Sequence, residues 1–269
     1  MSNKFFSTIA GASLLLTFIG LIGRGFGFFR EIIFASEYGI EKEFDIYLIG
    51  SVISVSINTA VFYLCQNYFI PAYHNYKSTS LEKANDFLNN SVTLLFVFFS
   101  FITFLLYFFS NQIITAYLGQ NSSELFSLAK NIFVITLFTI PLNAAAAILI
   151  SHRQAESEFK STAIATLFPN VAIIISIIVL NTSLGVLSIA VGYLIGIILQ
   201  FVYMIFVSHK EIVLSKLMKL KNIFPEKSLA SGLIIIVLIE VINQSYVLVD
   251  RFFYKSVETG GIAALNYAN

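Results

Sequence analysis

The chain has 269 residues, of which 57% are hydrophobic and only 12% charged, with a formal net charge of +1. Soluble domains run at roughly 45–50% apolar and about 25% charged. This composition therefore excludes an ordinary soluble enzyme, and the charge balance gives no electrostatic basis for nucleic-acid binding. A single cysteine, Cys65, excludes an intramolecular disulfide and a cysteine-based metal cluster. Several windows reach the ~20 mostly apolar residues that a bilayer crossing requires. The expected class is an all-α polytopic membrane protein.

The first apolar segment, residues 5–35, is long for one crossing. It begins like a signal peptide, but the run passes Gly23 without a cleavage pattern and more spans follow, so it reads as a retained helix. Gly20, Gly23 and Gly27 lie three and four residues apart on one face, which permits close packing or a kink. Arg24, Arg30 and Glu31 interrupt the run. Charge at membrane depth is costly unless it faces protein or water. Arg24, with apolar helix beyond it, is expected to face a polar cavity. Arg30 sits nearer the membrane end, where snorkelling is the simpler account. An acidic loop over residues 36–45 ends in Asp45.

The second span, residues 44–70, carries Ser51, Ser54 and Ser56, then Asn58, Thr59, Gln66 and Asn67, which favour a protein or water face. Pro71 is expected to end or bend it, with a polar loop over 71–86. The third span, 87–109, is Phe- and Leu-rich scaffold. The fourth, 125–150, is interrupted by Pro141 and Asn143 and has a smooth flank at Ala144 to Ala147. The fifth, 161–180, holds Pro169 and Asn170; the sixth, 186–207, holds Gly192 and Gly196, a weak packing signal. Residues 209–228 carry five lysines among apolar positions and read as a basic amphipathic helix on the membrane surface. The seventh span, 229–253, has an unusually polar second half with Glu240, Asn243, Gln244, Asp250 and Arg251. This divides the chain into a six-helix lobe (1–208), a linker helix (209–228) and a seventh helix with the start of a second lobe (229–269).

Alternating the loops places Lys4, Lys77, Lys83, Arg153, Lys160 and the five linker lysines on one side, against Lys42, Lys130 and Lys255 on the other. The positive-inside rule then puts the N-terminus in the cytoplasm. His74, His152 and His209 form no metal-spaced group, and no phosphate loop or dinucleotide glycine pattern occurs. Glu240 and Asp250 point in different directions on one helix and make a poor catalytic pair, so no enzymatic activity is expected. What remains is a polar interior lined by Arg24, Arg30, Asn58, Glu240 and Asn243. Arginines without a metal suit a phosphate or pyrophosphate, because guanidinium offers a planar fork of donors. Broken helices with proline or glycine near the middle are a transporter feature.

Two motifs carry a family resemblance. The first is R-x-x-G-x-x-R-[DE]-x-x-x-A, here Arg24, Gly27, Arg30, Glu31 and Ala35, followed by Asp45 before span 2. The second runs from Asn243 and Gln244 through Asp250 and a loop glycine (Gly260 or Gly261) to A-L-N-Y-A at Ala264 to Ala268. Together they resemble the lipid II flippase MurJ (MviN) group of the multidrug/oligosaccharidyl-lipid/polysaccharide exporter superfamily. The resemblance implies the first six-helix lobe of a two-lobe exporter plus the seventh helix, about seven transmembrane helices in all, with an eighth begun and not built. It implies a flippase for a polyprenyl-pyrophosphate-linked saccharide in a bacterial cytoplasmic membrane. Arg24, Arg30, Asn58 and Asn243 would bind substrate, and Glu31, Asp45, Glu240 and Asp250 would act as gate or counter-charge residues. No cofactor is implied; coupling would come from an ion gradient or the membrane potential. Partners would be the lipid-linked saccharide, membrane lipids, and glycosyltransferases or a glycan polymerase. The family's arginines early in span 2 are absent from the stretch around Asn58, and the chain stops before the one in the eighth helix. These departures widen the expected substrate from lipid II to related undecaprenyl-linked glycans. The alternatives are a cation-coupled drug exporter of the same superfamily and a non-transporting membrane partner of glycan-synthesis enzymes.

Overall fold

The computed structural model describes residues 9–118, 123–212, 227–253 and 259–268. The basic linker expected over 209–228 lies mostly outside them. The elements are α1 (Ile9–Glu37), α2 (Lys42–Leu64), a π-helical turn (Cys65–Phe69), α3 (Ile70–Thr79), α4 (Leu81–Phe108), α5 (Ser110–Leu118), α6 (Ser123–Leu137), α7 (Thr139–Ala155), α8 (Phe159–Leu184), α9 (Leu187–Val207), α10 (Lys227–Phe253) and α11 (Gly261–Ala268). Among the described residues, five segments are long and apolar enough to cross a membrane: Lys42–Thr79, Leu81–Phe108, Ser123–Ala155, Phe159–Leu184 and Leu187–Val207. Helices α1 and α10, of 29 and 27 residues, also exceed the ~20 residues needed to span. The molecule is an all-helical, multi-pass membrane protein.

Helix α7 is the hub. All its residues except Leu142 and Gln154 are buried, and it packs against α2, α3, α4, α6, α8 and α9. The run Ala144 to Ala147, wholly buried, keeps its flank thin enough for several neighbours to approach at once. Pro141 explains where the fourth span breaks. A proline cannot donate to the carbonyl four residues back, which here belongs to Leu137 at the end of α6. That freed carbonyl accepts instead from the Thr103 hydroxyl of α4 at 3.4 Å. The chain turns at Phe138 and restarts as α7.

The second span runs further than the position of Pro71 suggests. The π-helical turn precedes Pro71, which then sits in the first turn of α3, where a missing N–H costs little. Helix continues to Thr79, and Ser80 then caps α4 by accepting from the Lys83 amide at 3.1 Å. The expected polar loop over 71–86 is therefore mostly helix, held by the buried Ala72 and Tyr73.

Helices α8 and α9 pair through Gly192 and Gly196. A Cβ at Gly196 would lie 2.4 Å from Pro169 Cα, and one at Gly192 would lie 2.8 Å from Ile173 Cα. The glycines of α1 behave differently: a Cβ at Gly23, Gly25 or Gly27 meets nothing within 4 Å. Helix α1 runs unbroken through them and packs chiefly on α8. Helix α10 lies along α2, and α11 returns to the start of α2.

Candidate functional site

The site grows from the contact of α1 with α8. Arg30 donates through Nη1 to Asn170 Oδ1 of α8 at 3.0 Å. Its Nε and Nη2 bond the Glu31 carboxylate beside it, at 3.2 and 2.5 Å. The other Glu31 oxygen accepts from Asn266 Nδ2 of α11 at 3.4 Å. Asn266 Oδ1 accepts from Arg251 Nη2 of α10 at 3.1 Å, and Arg251 Nη1 donates to the Ile262 carbonyl at 3.1 Å. A single polar chain thus joins α8, α1, α11 and α10.

This chain lines a cavity of about 270 Å³. Its charged lining groups are Arg30, Glu31 and Arg251, so two guanidiniums oppose one carboxylate. Ser51, Ser56, Tyr47 and Tyr193 supply hydroxyls from α2 and α9. The side chains of Arg30 and Glu31 retain 31% and 34% of their surface, enough for a ligand to reach them. An excess of fixed cationic donors in a partly dry cavity favours an anion, and a forked donor favours phosphate oxygens. Among the described residues no group of three or more His, Cys, Asp or Glu is arranged to hold a metal ion.

Asp45 does a different job from the cavity residues. It is buried at the start of α2, and its two carboxylate oxygens accept from the backbone amides of Gly260 at 2.6 Å and Ala263 at 2.7 Å. These amides lie just before and within the first turn of α11, where a carboxylate is favoured by the unpaired N–H groups and the helix dipole. Gly260 has φ +87°, and a Cβ there would sit 2.5 Å from the Ile40 carbonyl oxygen, so only glycine fits. Tyr267 donates to the Gly39 carbonyl at 2.9 Å. The α1–α2 loop and the start of α11 are thereby fastened together.

The remaining expected residues are dispersed. Arg24 is exposed on α1 and does not line the Arg30 cavity; it shares a helix face with Glu31 but lies about 10 Å away along the helix axis. Asn243 is exposed on α10 and Asp250 is half-buried. Glu240 lines a separate, mostly apolar cavity of about 280 Å³ between α2, α4 and α10, and its buried Oε2 has no hydrogen-bond partner. Asn58 is buried and donates to the Thr139 hydroxyl at 2.8 Å and the Tyr193 hydroxyl at 2.9 Å. Sequence reasoning did not assign Asn170, Arg251, Asn266 or Tyr193 to the site. The one signal for Asn170 was its place after Pro169 in the middle of a span.

Long helices broken by proline and a π-helical turn around a charged cavity define a polytopic membrane protein with a polar interior. The fold agrees with that class. An outward-facing multidrug resistance MATE family transporter of the MOP superfamily matches with a TM-score of 0.66 at 15% identity, over 96% of this chain and 59% of that one. A lipid II flippase MurJ in an inward closed conformation matches with a TM-score of 0.77 at 24% identity, over 95% of this chain and 53% of that one. The family model described as lipid II flippase MurJ matches residues 64–269, and the chain belongs to that family. The lipid II flippase MurJ of Thermosipho africanus (strain TCF52B) is 28% identical over 195 residues, 72% of this chain and 40% of the relative. A probable lipid II flippase MurJ of Aquifex aeolicus (strain VF5) is 25% identical over 262 residues, 96% of this chain and 51% of the relative. The chain spans about half the length of the curated relatives it matches.

Proposed function

We propose that this chain carries the headgroup-binding part of a flippase for polyprenyl-diphosphate-linked saccharides, lipid II or a related cell-surface glycan precursor, in a bacterial cytoplasmic membrane. The observation that carries the reading is the pair of guanidiniums, Arg30 and Arg251, on one half-buried cavity with Glu31 and Asn266 between them. In the resting state Glu31 occupies the Arg30 fork. An incoming diphosphate replaces that carboxylate with oxygens of higher charge, so the arginine exchanges one anionic partner for another, while the released Glu31 carboxylate, 34% exposed, keeps Asn266 and turns to water. Tyr47, Ser51 and Ser56 take the remaining phosphate oxygens.

The N-terminus lies on the cytoplasmic side in this reading, from the distribution of basic residues. The Asp45 cap on α11 then acts as the outer gate, since parting the α1–α2 loop from α11 breaks two charge-assisted hydrogen bonds. Glu240 and Asp250 serve as counter-charges on α10 for a coupling ion. Arg24, exposed on α1 about 9 Å nearer its cytoplasmic end than Arg30, meets the headgroup at an earlier stage of its crossing.

The test is binding of farnesyl diphosphate to the protein in lipid nanodiscs, followed by flipping of a fluorescent polyprenyl-diphosphate saccharide in proteoliposomes. Arg30→Ala and Arg251→Ala are each expected to weaken diphosphate binding about tenfold or more. Unchanged binding by both variants refutes the reading. Glu240-dependent binding of tetraphenylphosphonium, with no binding of the diphosphate, would put a drug exporter in its place.

A further inference from the structure

Beyond the Arg30 cavity lies a second recess of different chemistry. Tyr193 belongs to the wall of both. On three helices the lining shifts toward the same end of the bundle. On α2 it moves from Tyr47 and Ser51 to Asn58 and Tyr63, on α8 from Ile173 to Pro169 and Thr166, and on α9 from Tyr193 to Gln200. Seven residues of helix correspond to about 10 Å, so the two recesses stack along the bundle axis and meet at the Tyr193 ring.

The second recess has a volume of about 260 Å³ and no charged residue in its lining. Its polar groups are carboxamides and hydroxyls: Asn58, Asn143 and Gln200, with Thr59, Thr166 and Tyr193. The three carboxamides are buried, at 5%, 6% and 4% exposure. Burying an amide is unfavourable unless both its ends are bonded. Asn143 Nδ2 donates to the Asn58 backbone carbonyl at 3.2 Å. Asn58 spends both amide hydrogens on Thr139 and Tyr193, and its Oδ1 has no partner. Turning the amide over would satisfy the oxygen and orphan the nitrogen, so one end lacks a partner in either orientation. Tyr63, 47% exposed, and Phe62 supply aromatic surface beside these groups.

With no charge in its lining, this recess lacks the fixed cations that favour a diphosphate at Arg30 and the carboxylates that favour a cation. A pyranose suits it: its hydroxyls and any acetamido group both donate and accept, as carboxamides do, and its C–H face lies against an aromatic ring. We propose that Asn58, Asn143 and Gln200 form a saccharide subsite, with Tyr63 at its rim, for the sugar joined directly to the diphosphate at Arg30 and Arg251. The inference rests on the diphosphate reading and adds the part of the substrate that reading leaves unplaced. Tyr193 marks the boundary between phosphate and sugar.

The protein in lipid nanodiscs is titrated with farnesyl diphosphate and with the same lipid diphosphate bearing one N-acetylglucosamine. The sugar-bearing probe is expected to bind about tenfold more tightly, the equivalent of one or two good hydrogen bonds. Gln200→Leu, similar in volume, removes that advantage and leaves farnesyl diphosphate binding unchanged, which also reports that the variant is folded. Tyr63→Leu, at an exposed rim position, weakens the sugar-bearing probe alone by a smaller factor. Equal affinity of the parent protein for both probes overturns the subsite and leaves the diphosphate reading standing. So does a loss that falls equally on both probes in Gln200→Leu and Tyr63→Leu. Failure of the parent protein to bind either probe overturns the diphosphate reading and the subsite with it.

Discussion

Arg153 and Arg30 sit near helix ends in this protein, and their surroundings differ in kind. Arg153 is 6% exposed. Its Nε donates to the Ser208 hydroxyl at 3.2 Å, its Nη1 to Glu158 at 2.9 Å, and its Nη2 to Glu211 at 2.9 Å and to the Val207 carbonyl. It ties the end of α7 to the start of α8 and the end of α9. Every nitrogen is engaged, one of them by a backbone carbonyl that no ligand can displace. Arg30 instead meets only side chains, a carboxylate and a carboxamide, on the wall of a cavity. A guanidinium saturated by backbone and several elements holds the fold together. One that is balanced by displaceable side chains is available to a ligand.

The sharpest way to break this contrast is to remove each arginine. Arg153→Leu leaves two carboxylates facing each other without their cation and is expected to cost about 3 kcal/mol, the lower end for a broken buried pair, because Glu158 and Glu211 keep some solvent. Arg30→Leu is expected to change stability by about 0.5–1 kcal/mol at most. Thermal unfolding in nanodiscs measures both, and equal shifts would erase the distinction.

A second pair of substitutions carries the contrast from charge to packing. Gly196→Ala places a methyl against Pro169 in the α8–α9 interface and is expected to destabilise by about 1–3 kcal/mol. Gly27→Ala on α1 meets open space and is expected to be neutral or to stabilise by about 0.5–1 kcal/mol through helix propensity. Urea or thermal unfolding of the two variants side by side separates these outcomes.

Asp45→Ala should have a smaller and local effect. Loss of the cap on α11 costs about 1 kcal/mol, and amide hydrogen exchange at Gly260 and Ala263 should accelerate while α7 amides do not change. Uniform acceleration across the molecule would show that Asp45 supports the whole fold and not the junction alone.

The mildest test uses pH at the end of the bundle where Arg153 lies. Burial pushes the Glu156 carboxyl up, but hydrogen bonds from Lys77 and Tyr73 and the Lys77 charge outweigh it, holding the group below the usual carboxylate range. The folded state therefore releases this proton more readily than the unfolded state. The contribution is fully present above the unfolded carboxylate value and is lost as pH falls through the lower folded value. Glu156→Gln should flatten the acid side of a stability-against-pH curve, whereas Arg30→Gln should leave its shape unchanged at this end of the bundle.

The glycines show why the fold was more legible than its contacts. The spacing of Gly192 and Gly196 and that of Gly23 and Gly27 is the same signal, four residues along one face. One pair receives a neighbouring helix within contact distance, and the other faces open space. Local spacing states that an approach is possible; the partner is chosen by the rest of the chain. Pro71 and Pro141 teach the same lesson. Each removes one backbone donor. Whether the helix breaks depends on a π-helical turn in one case and on Thr103, from another helix, in the other.

By itself, the sequence determined the helical class, the positions of most spans and the two motifs around Arg30 and Asp250; Asp45, expected in the loop before the second span, lies in the first turn of α2. Those features are local: apolar runs, breakers and charges register within a few turns of helix. Only the tertiary structure decided which polar residues share a cavity. Arg30 meets Asn170 across 140 residues of sequence, Asp45 meets Gly260 across 215, and Glu31 meets Asn266 across 235. No periodicity reports such pairings, because each is set by the angle and depth at which two packed helices present their faces. Arg24 and Arg30 share one motif and one helix, yet the cavity closes around Arg30 and Glu31 and does not reach Arg24, about 9 Å further along α1.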